Sequence, residues 1–123
     1  MDKTLQIIEK LIDFTKKENL TWYYLSDNTT LAKKSLSFCD HREFKDSASF
    51  YTPSGAGYFV LMESIDVPDF PELYLIVFPN ITSKDIQSIN EYDECQQQLL
   101  RLQNLVKKLF PNVDAFLDDF LIK

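Results

Sequence analysis

Glycine is nearly absent from this chain, with two residues in 123, Gly55 and Gly57, both inside "TPSGAG". Cysteine is as scarce, at Cys39 and Cys95, and there is one histidine, His41. Each shortage removes a class of function. Two cysteines do not build the disulfide framework of a small secreted domain. A phosphate loop runs from a strand through glycines into a helix whose first amides hold the anion. Here Gly57 leads into "YFVLM", which is strand material, and no Lys-Ser/Thr pair follows. "TPSGAG" therefore reads as a hairpin turn. Pro53 presets one dihedral, and Gly55 or Gly57 supplies the positive φ.

Long apolar runs are missing too. "MDKTLQIIEKLIDFTKKENL" interleaves charge with apolar residues, unlike a secretory signal, and no stretch approaches the ~20 apolar residues of a membrane span. The expectation is a cytoplasmic protein with reduced thiols and no membrane contact. A basic excess is also lacking. Residues 1–60 hold eight basic and eight acidic side chains, and residues 61–123 hold five and eleven, so the whole formal charge of −6 lies in the second half. Such a field repels nucleic-acid phosphates and suits a basic protein partner, besides keeping a small protein soluble.

What is present is aromatic and periodic. Aromatic residues make up 14% of the chain, far more than a disordered segment carries. The length fits one domain, 1–123, able to bury about two-thirds of its unfolded surface. "TLQIIEKLIDFTKKEN" sets Leu5, Ile8, Leu11, Ile12 and Thr15 at helical spacing, widened by Ile7 and Phe14, with an end near Asn19. "TWYYL" favours a strand, and "SDNTT" reads as a loop. Residues 35–52 read as two short strands about a charged turn, or one irregular strand. "GYFVLMESI" (57–65) and "ELYLIVF" (72–78) are the clearest strands, separated by the proline loop "VPDFP". Along 73–78 both faces are apolar: Leu73, Leu75 and Val77 on one, Tyr74, Ile76 and Phe78 on the other. That pattern calls for helices on both faces or for a second subunit, so a homodimer is one of two readings. Thr82–Asp85 and Asn90–Asp93 have capping-box spacing, and Cys95, Leu99, Leu102, Val106 and Leu109 form the stripe of a helix over about 91–109. Pro111 ends it, and "NVDAFLDDFLIK" starts a further short helix.

"FCDHREF" is the one place where catalytic residue types crowd. In an extended segment Cys39 and His41 project to the same side, the minimum for thiolate catalysis, with Asp40 or Arg42 to tune it. Such a thiolate would be alkylated well below the ordinary thiol pKa of about 8.5. Asp93 and Cys95 would be the completions of a metal site, but a zinc site needs three or four ligands at recognisable spacing. The plainer reading makes Cys39 a small core residue and His41 a polar edge residue. Glu63, Asp66, Asp69 and Glu72 around the proline loop, and Asp114, Asp118 and Asp119 near the end, read as solvated acids available to a protein partner. Acid–base pairing would need two of them held ~5–9.5 Å apart. Trp22 and Tyr24 share one side of "TWYYL" and Tyr23 the other, which points to core plus partial interface.

The helix leading through "DFTKKENLTWYYL" into an antiparallel meander, closed by "LLRLQNLVKKL", resembles a loose group of small uncharacterised bacterial proteins often carried on phage or mobile-element DNA. Thr15, Leu20, Trp22 and the closing helix carry the likeness. It implies an architecture and a genomic setting, with no activity attached. The expected fold is α+β: an N-terminal helix, a mostly antiparallel sheet of three to five strands, and C-terminal helices packed on it. The expected function is non-enzymatic and cofactor-free, binding another protein as an antitoxin, immunity protein or phage-type inhibitor does. The alternatives are a small Cys–His thiol enzyme using Cys39 and His41, and a nucleic-acid-associated regulator.

Overall fold

The computed structural model describes residues 3–65, 73–80, 87–89, 93–110, 117 and 120–122. Helix α1 (Lys3–Lys16) forms where the apolar stripe was expected and buries Ile8, Leu11, Ile12 and Thr15. It ends in a Schellman motif, with Asn19 N–H donating to Phe14 O at 2.9 Å and Glu18 N–H to Thr15 O at 3.1 Å. The left-handed residue is Glu18, at φ 58°, and not the expected Asn19.

Five strands follow: β1 (Tyr23–Tyr24), β2 (Phe50–Ser54), β3 (Gly57–Glu63), β4 (Leu73–Phe78) and β5 (Gln87–Ile89). They form one sheet in sequence order, every neighbouring pair antiparallel. The expected α+β architecture is the observed one. Strand β5 occupies positions beyond the capping-box spacing of Thr82–Asp85, where a helix start was expected; residues 81–86 lie outside the described residues.

The β2–β3 turn is a two-residue hairpin, with Ser54 opposite Gly57 and Gly55 at φ 60°. A positive φ at the first central residue is the type II′ requirement, and Gly55 meets it. Gly57 serves a different need. A Cβ built there would stand 2.2 Å from Phe78 O and 2.6 Å from Pro79 O, so only glycine fits beside β4.

Helix α2 (Thr29–Cys39) lies between β1 and β2 and replaces the loop and strands expected across 26–39. Asn28 caps it, its Oδ1 accepting from Leu31 N–H at 3.1 Å. "SDNTT" misleads because residues that compete with the backbone in loops are also the best N-caps. A second Schellman motif ends the helix. His41 N–H donates to Leu36 O at 3.0 Å, and Asp40 takes the left-handed position at φ 57°. Within the stretch 35–52 expected to be extended, strand β2 begins only at Phe50, after a 3-10 turn over Asp46–Ala48.

Helix α3 (Asp93–Lys107) packs beside α1 on one sheet face. Cys95, Leu99, Leu102 and Val106 are buried as their spacing predicts, whereas Leu109 lies past the helix end and is exposed. Their cluster takes Phe50, Leu61 and Leu75 from one row of the sheet. The opposite face carries the next row, Val60 and Ile76 with Tyr51, under Leu31 and Ala32 of α2. Helices of the same chain therefore cover both apolar faces of β4. The two-sided pattern carries no argument for a second subunit.

Candidate functional site

Asp40, left-handed at the end of α2, breaks the extended geometry expected of "FCDHREF". The alternation that was to set Cys39 and His41 on one side does not apply. His41 turns its ring to the sheet, where Nε2 and Tyr74 Oη lie 2.7 Å apart and the rings meet edge to face at 5.2 Å. Cys39 is half-buried against the α2-side cluster, while Cys95 is buried in the cluster across the sheet. The sheet thus separates the two thiols that a shared metal site would need together. Among the described residues no group of three His, Cys, Asp or Glu side chains stands close enough to hold a metal ion.

The other candidate residues also have defined places. Trp22 is 4% exposed, a core residue whose Nε1–H donates to Thr15 Oγ1 at 3.1 Å, so it offers no surface to a partner. Thr15 in turn donates to Leu11 O at 2.6 Å, which orients its hydroxyl for the indole. Tyr24 is half-buried on the same face, its ring 5.5 Å from Phe50 and 4.4 Å from Phe110. Tyr23 on the opposite face stacks on Tyr51 at 5.3 Å. Glu63 is not a loop acid. It closes β3 and accepts from Gln103 Nε2 of α3 at 3.0 Å, and the same amide donates to Ala48 O at 3.0 Å. That amide ties α3 to the end of β3 and to the 3-10 turn that precedes β2. Asp66, Asp69, Glu72, Asp114, Asp118 and Asp119 lie outside the described residues.

Two grooves open on the α1–α3 side. One, about 230 Å³, is bounded by Ile7, Leu11, Phe14, Leu20 and Phe59, with Ser54 at the hairpin and Lys10 as its one charged residue. The Lys10 ammonium lies 5.4 Å from the centre of the Phe14 ring, a cation–π arrangement that holds a positive charge at the groove's lip. The other, about 240 Å³, lies where α3 ends, among Tyr24, Ser47, Phe50, Lys107 and Phe110. Neither gathers the nucleophile, base and oxyanion donors of a catalytic centre.

No family model, curated protein or solved structure matches this chain. The surface itself is the remaining guide. Large apolar side chains stand exposed near the C-terminus: Leu117 at 47%, Phe120 at 66%, Leu121 at 77% and Ile122 at 84%. Leu117, Phe120 and Leu121 have helical backbone, at the i, i+3, i+4 spacing that puts side chains on one face. The short helix expected over "NVDAFLDDFLIK" falls in large part outside the described residues, and "FLDDFLI" itself shows the strip. The α1 groove escaped notice. Leu20 and Phe59 are far apart in the chain, and only folding sets them together.

Proposed function

We propose that this protein is a non-enzymatic protein-binding module, a stoichiometric binder of the antitoxin, immunity-protein or inhibitor kind, which engages its partner through the apolar C-terminal segment. One observation carries this reading: Leu117, Phe120, Leu121 and Ile122 are exposed together, in the half of the chain that holds all the excess negative charge. Contiguous exposed apolar side chains rimmed by charge are the ordinary mark of a protein contact. The acidic surroundings favour a basic partner by steering its approach. The two apolar faces of β4, the other surface expected for binding, are covered by helices of the same chain.

Affinity capture from host lysate with two baits tests this, the wild-type chain and Phe120→Asp/Leu121→Asp. The expected result is one dominant stoichiometric protein on the first bait and its loss on the second. An identical partner set on both baits would move the contact away from the segment. Rapid alkylation of Cys39 in the folded protein near neutral pH would instead revive the thiol-enzyme reading. Salt-sensitive retention on DNA or RNA would favour the nucleic-acid one.

A further inference from the structure

We propose that the groove between α1 and the β2–β3 hairpin binds a small amphipathic carboxylate, an aliphatic or aromatic acid whose apolar body enters the cleft and whose head group meets Lys10. Ile7, Phe14, Leu20 and Phe59 stand only half-buried around the buried Leu11. An apolar ligand would complete their burial, which is the driving force for its entry. The volume sets the ligand's size. A dry apolar cavity of about 150 Å³ takes benzene, so this groove, at about 230 Å³, has room for one ring with a short tail or a chain of about eight carbons. It falls below the ~300–1,000 Å³ of drug-sized sites and is too small to enclose a nucleotide.

Charge decides the head group. Lys10 is the one charged residue on the groove's walls, and its ammonium stands 5.4 Å from the Phe14 ring at the lip. Asp13, the nearest acid C-terminal to it on α1, pairs with Lys17 at 3.0 Å, and Lys10 has no ion-pair partner among the described residues. A cation beside an apolar cleft attracts an anion more strongly than one in open water does, because the surroundings screen it less. One ammonium matches one carboxylate. A phosphate, with up to two charges and three acceptor oxygens, would leave most of them unmatched. Every groove residue falls within 1–60, where acidic and basic side chains balance, so none of the acidic excess of 61–123 sits on its walls. This site goes beyond the protein-binding reading and does not rest on it. Its residues are not those of the C-terminal segment, and it is measured on purified protein alone.

Titration of the purified chain with octanoate, followed by amide NMR, provides the test, with octanol and octylamine as probes of equal length. The expected result is saturable shifts at Leu11, Phe14, Leu20 and Phe59, with a Kd of about 1 mM. Octanoate should bind more tightly than octanol or octylamine. Lys10→Gln should weaken octanoate about fivefold and leave octanol unchanged, and Lys10→Glu should make octylamine the preferred probe. Lys10 is exposed, so circular dichroism of both variants should match wild type. No saturable shift at several times that concentration would overturn the proposal. So would shifts centred away from the groove, octanol binding as tightly as octanoate, or octanoate indifferent to both Lys10 variants. Groove shifts that appear on raising the protein concentration alone would assign the cleft to a second copy, and would overturn it too.

Discussion

The two faces of the sheet are built from alternate residues of the same strands, yet they are finished differently. On one, α1 and α3, of 14 and 15 residues, lie side by side over Phe50, Leu61 and Leu75. Buried and half-buried polar ties reinforce that face: Thr15 to Trp22, Gln103 to Ala48 and Glu63, and Gln96 Nε2 to Leu73 O at 3.1 Å. On the other, the 11-residue α2 covers Val60 and Ile76 together with Leu25 and Phe44, and Tyr51 and Tyr58 stay half-buried. Two long helices pack over one face, whereas one shorter helix packs over the other. Cavities and broken hydrogen bonds should therefore cost more on the α1–α3 face, where two packed helices resist collapse into the gap.

The largest expected effect compares two fully buried leucines. Leu99→Ala in α3 should cost about 3–5 kcal/mol and Leu31→Ala in α2 about 2–3 kcal/mol, read by urea denaturation. An equal or larger cost at Leu31 would break the comparison. Next come the polar ties. Thr15→Val leaves the buried Trp22 indole N–H without its acceptor and should cost about 1–3 kcal/mol. Tyr74→Phe gives up the His41 hydrogen bond at a half-buried site and should cost about 1 kcal/mol. The Thr15 variant should also alter Trp22 fluorescence in the native state, which the Tyr74 variant should not. The smallest effects stabilise. Glu18→Gly at the end of α1 should gain about 1 kcal/mol by relieving a left-handed non-glycine residue. Asp40→Gly at the end of α2 should gain less, because aspartate tolerates that conformation. Thermal unfolding of the two variants side by side reads the difference.

Much of this was legible in the chain. The stripes of α1 and α3 and the core of β3 and β4 follow from periodicity, and the hairpin turn from Gly55 or Gly57. Helix α2 was not read, although Leu31, Ala32, Ser35, Leu36 and Cys39 lie at helical spacing behind Asn28. Its polar first turn resembles a loop, and its end runs into "FCDHREF", where alternating residues imitate a strand. The candidate site was legible only in part. The exposed strip of Leu117, Phe120 and Leu121 is written within five residues of sequence, but their exposure is not. The groove is assembled from α1, Leu20 beyond its end, Ser54 of β2 and Phe59 of β3.

Local chain physics settles the helical stripes, the hairpin turn and the doubly apolar β4, since dihedral preference and side-chain period act over a few residues. Which helix seals which face, and that Cys39 and Cys95 end on opposite sides of the sheet, depends on contacts between distant segments. Gly57 shows the boundary most clearly. Nothing in "GAGYF" says why that position must lack a side chain; the reason is the Phe78 carbonyl, which the β3–β4 pairing brings within 2.2 Å of where a Cβ would stand.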